Sequence, residues 1–172
     1  MKSSNIEGLR LIHVPNFMDH RGTFMRIFDL DSSLNGHAEQ VNVSINPKLR
    51  TLRGMHFQTY GQPESKLVSL LSGSVYISII DLRKESSTYL AVFESLFLCE
   101  DKISIAIPPG CATGWISLTT NTILHYVMSS RFEENRYSGL RFDDPAFMIN
   151  WPESPLHISK QDLTWPKYKS EN

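Results

Sequence analysis

Hydrophobic and polar residues alternate along several stretches of this chain with a period of two. The clearest runs are residues 41–46, 75–80, 103–107 and 122–129. Successive side chains of a strand point to opposite faces, so this period predicts β-strands rather than helices. Short segments that contain glycine or proline divide the runs, at 20–22, 60–63, 72–74 and 108–110. Many short strands with such turns predict an all-β sandwich or barrel.

Helical signals are few. Short helical pieces are expected at residues 31–35 and after Ser159, where Ser159 and Asp162 have the spacing of a helix cap. The chain has 172 residues, of which 41% are hydrophobic, and it contains no internal repeat or low-complexity run. That length supports one substantial core, so a single domain over residues 1–172 is expected.

Composition narrows the range of partners. Lys and Arg total 17 against 18 Asp and Glu, a formal net charge of −1, so no basic surplus indicates nucleic acid or an anionic membrane. The apolar runs are far too short to span a bilayer. Cys99 and Cys111 lack metal-ligand spacing, and the amino terminus lacks a signal-peptide pattern. The expectation is a cytoplasmic protein with no metal, membrane or nucleic-acid partner.

The stretch Leu-Arg-Gly-Met-His-Phe-Gln at residues 52–58 carries the most informative chemistry. Histidine has an unperturbed pKa near neutrality, so His56 is a candidate base, and Arg53 beside it indicates an anionic substrate. Their odd separation puts the two side chains on opposite faces of a regular strand. Gly54 permits a bulge that would let both reach one cavity. The alternative is a structural histidine, which is the commoner role.

Strand parity also decides which neighbours can share a cavity. On one strand, Tyr126 and His125 must face opposite sides, so only one of them is expected in a site. On another strand, Gln40, Asn42 and Ser44 share one face. That polar face is either a ligand-lined interior or, more commonly, a solvent-facing sheet surface.

Several segments together, in order and from about residue 8 to residue 166, resemble the dTDP-4-dehydrorhamnose 3,5-epimerase family. The matching segments are DHRGTF (19–24), QVNVS (40–44), LRGMHFQ (52–58), KLV (66–68), GSVYISIIDLR (73–83), PGCATGW (109–115), DDP (143–145), INWP (149–152) and SKQD (159–162). The resemblance implies a cupin-like jelly-roll barrel and a homodimer whose amino-terminal strands contribute to the neighbouring subunit. It also implies epimerisation next to a ketone without a metal or other cofactor. The absence of a His-x-His signature agrees with this.

The resemblance assigns roles to individual residues. A 4-keto group acidifies the hydrogens on the flanking sugar carbons, so inversion needs a base on one face of the ring and an acid on the other. By resemblance, His56 is the base, Asp162 accepts its other ring N–H, and Tyr126 is the acid. Lys66 would lie near the ketone, where its cation favours the charge that develops on oxygen. Each also has an ordinary structural alternative: a core tyrosine, a solvated lysine or a helix-start aspartate.

Further residues match family positions around the substrate. The substrate-binding residues expected on this basis are Arg21, Phe24, Arg26, Gln40, Asn42, Arg53, Thr113 and Phe132. Asp81 and Arg83 match other family positions, for which a strand-end ion pair is an equally good explanation.

The chain departs from the family pattern inside the expected pocket. The usual Gly-Phe-Ala-His-Gly-Phe turn is here Gly-Cys-Ala-Thr-Gly-Trp, so Thr113 replaces a histidine with a group that hydrogen-bonds but carries no charge. The sugar's substituents, or the number of carbons that exchange, can therefore differ from the usual case. Phe132 replaces a tyrosine and keeps its aromatic face.

Arg26 is the sharpest departure. The family usually has glutamate two residues after Phe24, so an acceptor has become an obligate donor. Thymine and uracil offer a donor at N3, whereas cytosine offers acceptors at N3 and O2, so Arg26 predicts a preference for a CDP-linked sugar. In the alternatives, Arg26 contacts a phosphate, solvent or the carbonyls of thymine.

The expected function is epimerisation of a nucleotide-linked 4-keto-6-deoxy sugar, at C5 alone or at C5 and C3, in deoxysugar biosynthesis. A single-centre epimerase or a ketoisomerase on the same scaffold is the alternative enzyme. A non-catalytic cupin that binds a sugar nucleotide is the alternative of another class.

Overall fold

The computed structural model describes residues 4–29, 34, 37–58 and 64–169. The predicted helix at 31–35 lies outside these residues, except for Leu34. The strands are β1 (Arg10–His13), β2 (Asn16–Asp19), β3 (Gly22–Met25), β4 (Gln40–Asn46), β5 (Leu52–Gln58), β6 (Lys66–Ser72), β7 (Ser74–Asp81), β8 (Val92–Leu98), β9 (Ile103–Ile107), β10 (Cys111–Ser117), β11 (Thr122–Met128) and β12 (Tyr137–Gly139).

The strands form two five-stranded sheets and one hairpin. The first sheet has the order β1-β9-β6-β11-β4, and the second has the order β12-β5-β10-β7-β8. All named strand pairs are antiparallel. Within the described part of the chain, strands β2 and β3 pair only with each other. The alternating pattern thus builds the all-β, cupin-like jelly roll that was predicted.

The apolar faces of the two sheets pack against each other. Val68, Ile105 and Leu124 from the first sheet meet Ile77 and Phe93 from the second in one buried cluster. Burying an aliphatic or aromatic side chain of this size stabilises the fold by about 1.5–3 kcal/mol. The space between the sheets is apolar at this cluster and more polar beside it, where Trp115 and Tyr126 border a cavity.

Helical structure is short, as predicted. Helix α1 (Lys160–Thr164) begins after Ser159, whose side chain accepts a hydrogen bond from the backbone N–H of Asp162 at 3.0 Å. The predicted cap is therefore confirmed. Two single-turn 3₁₀ helices lie at Cys99–Asp101 and Glu134–Arg136. Over the residues that the structure describes, no helix has the length and apolarity to cross a membrane.

Candidate active site

One end of the space between the sheets holds a cavity of about 310 Å³. Strands β4, β6 and β11 of the first sheet form one wall, and β5, β10 and β12 of the second form the other. The lining residues are Gln40, Asn42, Ser44, Arg53, His56, Phe57, Gln58, Glu64, Lys66, Thr113, Trp115, Tyr126, Met128, Ser130, Phe132 and Tyr137. A chamber with convergent polar groups on apolar walls is the usual form of a small-molecule site.

A bulge in β5 brings Arg53 and His56 into this cavity together. Opposite β10, Arg53 pairs with Trp115 and His56 pairs with Thr113, so β5 has one residue more than its partner strand over this interval. Gly54 lies within the bulge at φ +140°, and an added Cβ would come within 2.3 Å of the Gly114 Cα atom. Glycine is therefore required there, as predicted from the odd spacing of the two site residues.

His56 is paired with the carboxylate of Asp162. Their Nε2 and Oδ1 atoms are 2.7 Å apart, although the residues are 106 positions apart in the sequence. A carboxylate only accepts, so a neutral His56 must carry its proton on Nε2 and leave Nδ1 unprotonated. The pair therefore holds the imidazole as a proton acceptor at the cavity wall.

Asp162 is fixed by further donors. The backbone N–H of Gly54 donates to its Oδ2 at 3.3 Å, and the indole N–H of Trp165 donates to its Oδ1 at 3.2 Å. Burial alone raises the pKa of this carboxyl, but the hydrogen bond and charge of His56, with the donors from Gly54 and Trp165, lower it below its usual value. Asp162 is therefore an anion, as its role beside an imidazole requires.

Tyr126 lies on the opposite wall of the cavity from His56. Strand parity is confirmed here, because Tyr126 lines the cavity whereas His125 faces away from it. Trp115 donates its indole N–H to the Tyr126 hydroxyl oxygen at 2.8 Å. Burial raises the pKa of Tyr126 well above its ordinary value, against smaller lowering effects from Trp115 and from the charge of Arg53. The phenol is therefore neutral near pH 7 and keeps a proton to donate.

Lys66 is a buried lysine beside the buried side chain of Glu64. Its Nζ atom donates to the backbone carbonyl of His56 at 3.3 Å and lies 3.7 Å from Oε1 of Glu64. Burial lowers the pKa of Lys66, and Glu64 opposes that shift. Glu64 is held in turn by Gln58, whose amide nitrogen donates to Oε2 at 2.7 Å. Glu64 thus favours the charged form of Lys66 inside the cavity.

Other predicted substrate-binding residues also line the cavity. Gln40 and Asn42 are joined by a hydrogen bond of 3.0 Å, and the polar face of β4 forms part of the wall. Asn42 is itself exposed, so this part of the wall is open to solvent, and the role of the polar face at a substrate stays a prediction. The Arg53 guanidinium donates from Nε to Asn46 at 3.1 Å. Thr113 presents a buried hydroxyl that has no hydrogen-bond partner among the described residues.

Three predicted site residues lie elsewhere in this chain. Arg21 and Phe24 are on the exposed β2–β3 hairpin, with exposed fractions of 79% for the Arg21 side chain and 69% for Phe24. Arg21 pairs with Asp19 at 2.6 Å. Arg26 follows the hairpin and lines a separate cavity of about 250 Å³ that also includes Asp29. These residues therefore do not meet the cavity of their own chain.

Asp81 has a structural role. Although burial raises the pKa of its carboxyl, hydrogen bonds from Arg83, Ser86 and Thr88 lower it to about 2. The Arg83 guanidinium donates to both carboxylate oxygens at 2.8 Å. Asp81 does not line the cavity. Of the two explanations that the sequence allowed, the strand-end ion pair is the one observed.

Some cavity residues were not found from the sequence. Glu64 follows the turn predicted from the sequence at residues 60–63, where a solvated carboxylate is the ordinary expectation. Trp115 and Tyr137 read as core aromatics, yet the Tyr137 ring lies 5.2 Å from that of His56 and also 5.2 Å from that of Phe132. Phe132 therefore has an aromatic neighbour at the cavity, and its role as an aromatic surface for the substrate stays a prediction.

Comparison with known proteins gives one consistent family. A family model described as dTDP-4-dehydrorhamnose 3,5-epimerase matches residues 3–170. The enzyme of that name from Methanothermobacter thermautotrophicus is 31% identical over 169 residues, covering 94% of this chain and 90% of the relative.

Solved structures agree with the sequence comparison. A dTDP-4-dehydrorhamnose 3,5-epimerase from Bacillus anthracis, with TDP and PPi bound, has a TM-score of 0.89 at 27% identity, covering 96% of this chain and 97% of that chain. A 3′-monoepimerase from Streptomyces bikiniensis in complex with dTDP-quinovose has a TM-score of 0.87 at 25% identity, covering 97% of this chain and 87% of that chain. Because the family model spans nearly the whole sequence, the chain is an isomerase that belongs to the dTDP-4-dehydrorhamnose 3,5-epimerase family.

Proposed function

We propose that this chain inverts C5, alone or together with C3, of a nucleotide-linked 4-keto-6-deoxy sugar in deoxysugar biosynthesis. The observation that carries the proposal is that His56 and Tyr126 line one cavity from facing sheets. A sugar ring between them has a base on one face and an acid on the other. Removal of a proton beside the ketone gives an enolate, and return of a proton from the opposite face inverts the carbon.

His56 is the proposed base. Because Asp162 accepts the Nε2 proton at 2.7 Å, Nδ1 is the atom that takes the substrate proton. The imidazolium that forms is stabilised by the Asp162 carboxylate, whose lowered pKa keeps it ionised. Proton transfer of this kind typically contributes about 10²–10⁴-fold to the rate.

Tyr126 is the proposed acid. Lys66 is proposed to stabilise the negative charge that develops on the enolate oxygen. The raised pKa of Tyr126 keeps its proton in place until a strongly basic carbanion is present. A buried ammonium acts more strongly on a developing negative charge than a solvated one does, because little water screens it. Glu64 supports this role, since its carboxylate favours the charged form of Lys66.

The test is NMR of 4-keto-6-deoxyglucose linked to dTDP, CDP, UDP or GDP, incubated with the protein in heavy water. We expect deuterium to enter at C5 or at both C5 and C3, together with inversion. Binding of the nucleotide sugar without any exchange would contradict the proposal and favour a non-catalytic binding protein. Exchange that gives a migrated ketone in place of inversion would favour a ketoisomerase.

Thr113 supports a second candidate, a single-centre epimerase. Its unpartnered buried hydroxyl lies in the cavity where the family pattern has a histidine, so the pocket offers a short neutral group at that point. Such a change alters which sugar substituent is held, and therefore which carbon faces His56. Deuterium at one carbon only, in the experiment above, would identify this activity.

Asp162→Asn should lower turnover by about 100-fold and leave nucleotide affinity nearly unchanged. The amide would donate towards Nε2, so His56 would adopt the tautomer with a proton on Nδ1 and lose its basic atom. Turnover by NMR and nucleotide affinity by calorimetry check this. Asp143→Asn, at an exposed ion pair with Arg141, is the matched control. A large affinity loss with unchanged turnover would make Asp162 a structural residue.

We also propose that the working form is a homodimer in which the second copy supplies Arg21 and Phe24. Both residues lie on the β2–β3 hairpin, which pairs with no other strand among the described residues of its own chain. The outer face of edge strand β4 carries the exposed apolar residues Val41, Val43 and Ile45, directly behind its cavity-facing polar residues. A continuous exposed apolar face of this kind is typical of an association surface.

Preference for a cytidine nucleotide stays a prediction, and it depends on the dimer. Arg26 follows the same hairpin, so its contact with a base requires the neighbouring copy. If Arg26 meets the base edge, CDP should bind more tightly than dTDP by about 1–3 kcal/mol, and Arg26→Glu should reverse the order. Calorimetry with both nucleotides decides the matter. Equal affinities, or tighter dTDP, would leave Arg26 as a phosphate or surface residue.

A further inference from the structure

Trp115 connects the apolar core to the proposed acid. It lies on β10 and is 3% exposed, packed among the buried residues between the sheets. Its indole N–H reaches the cavity wall and donates to the Tyr126 hydroxyl oxygen at 2.8 Å. We propose that Trp115 is a positioning residue that aims the phenolic proton of Tyr126 at the substrate and stabilises the phenolate left after its transfer. This inference rests on the proposed role of Tyr126.

The direction of the hydrogen bond follows from the chemistry of the two groups. An indole N–H can only donate, whereas a phenol oxygen can both donate and accept. Tyr126 must therefore accept from Trp115, which leaves the phenolic proton for another partner. Within the described part of the chain, the Tyr126 hydroxyl has no second hydrogen bond. Because Tyr126 lines the cavity, its proton is available to a bound sugar.

The same hydrogen bond changes in strength during the reaction. Tyr126 begins as a neutral phenol and becomes a phenolate once its proton has moved to carbon. Hydrogen bonds to an ionised acceptor are roughly twice as strong as those to a neutral one. The Trp115 hydrogen bond therefore stabilises the transition state more than the ground state, which is the condition for raising a rate. The pKa of Tyr126, which burial raises, is lowered in part by this donor.

Phenylalanine at this position would fill most of the same space without a donor. The family pattern described above has phenylalanine there, so Trp115→Phe is a substitution that the fold should tolerate. It removes the indole N–H and leaves an aromatic ring against the core. Trp151→Phe is the matched control, because the Trp151 indole N–H donates to the carbonyl of Phe142 at 2.8 Å, and neither residue lines the cavity.

The experiment compares deuterium exchange with inversion in heavy water for Trp115→Phe, Tyr126→Phe, the double variant and Trp151→Phe. If Trp115 acts through the acid, Trp115→Phe should leave exchange intact and slow inversion, so the ratio of exchange to inversion should rise about three- to tenfold. In the Tyr126→Phe background the same substitution should add nothing, since its target is gone. Trp151→Phe should change neither rate.

Four results would overturn the inference. Equal losses of exchange and inversion in Trp115→Phe would indicate a packing defect that also disturbs the base. An additive effect in the double variant would show that Trp115 acts without Tyr126. No change in the ratio would show that the hydrogen bond has no role in the reaction. Normal inversion by Tyr126→Phe would instead contradict the proposed acid itself, and with it the present inference.

Discussion

Replacing His56 by alanine should abolish deuterium incorporation and lower turnover by about 10³–10⁴-fold, near the upper end of what a positioned general base contributes. Replacing Tyr126 by phenylalanine should allow some exchange but little inversion. The reason is that abstraction by His56 survives, whereas delivery of a proton from the opposite wall does not. Time-resolved NMR in heavy water measures exchange and inversion in one sample, so the two variants can be compared directly.

Matched controls separate these roles from general damage. His13→Ala removes an exposed histidine outside the cavity, and Tyr76→Phe removes a hydroxyl that hydrogen-bonds with Glu94. Both should retain normal exchange and inversion. Full inversion by either site variant would refute the assignment of acid and base, and loss of exchange in both site variants alike would place Tyr126 in abstraction.

Val43→Asp should convert the protein to a monomer and remove most of its activity. Val43 is 55% exposed in the single chain, so aspartate costs little there, but a second copy packed on this face would bury an unpaired charge. Such burial weakens an interface by about 2–5 kcal/mol, where each 1.4 kcal/mol is a tenfold change in affinity. Activity should fall because Arg21 and Phe24, which we propose the second copy supplies to the site, would be lost with that copy. Sedimentation and turnover measured at one concentration check both parts.

Leu96→Asp is the control for that experiment. Leu96 lies on β8 of the other sheet and is 50% exposed, so it receives the same charge at a similar exposure away from the proposed interface. It should leave both mass and turnover unchanged. A fully active monomeric Val43→Asp protein would show that one chain completes its own site, and a dimeric variant would place the contact elsewhere.

Local pattern was enough to predict much of this fold. The runs in β4, β7, β9 and β11 are strands, as their period of two predicted, although their burial differs: β7 is buried on both faces, whereas β4 exposes its apolar face. Gly54 was informative for a different reason. Two site residues at an odd spacing could share a cavity only if the strand was irregular between them, and the structure has its bulge there.

Other features depend on contacts that a sequence pattern does not record. In the sequence, Gln40 and Asn42 resemble the polar, solvent-facing side of a sheet. The opposite wall, formed by β5 and β10, is what makes their side of β4 part of a cavity. In the sequence, Trp115 looks like an ordinary core residue. Its ring does pack in the core, but its indole N–H donates to Tyr126, and no sequence pattern records that second contact. Glu64 could be recognised as a site residue only from the structure, which places its Oε1 atom 3.7 Å from the Nζ atom of Lys66.

His56 and Asp162 lie 106 positions apart in the sequence, so the carboxylate meets the imidazole only where helix α1 packs beside β5. Every described residue that lines the cavity precedes position 138, whereas the carboxylate that orients the histidine comes from the last helix. The capacity to hold a sugar and the capacity to take its proton therefore reside in different segments of the chain.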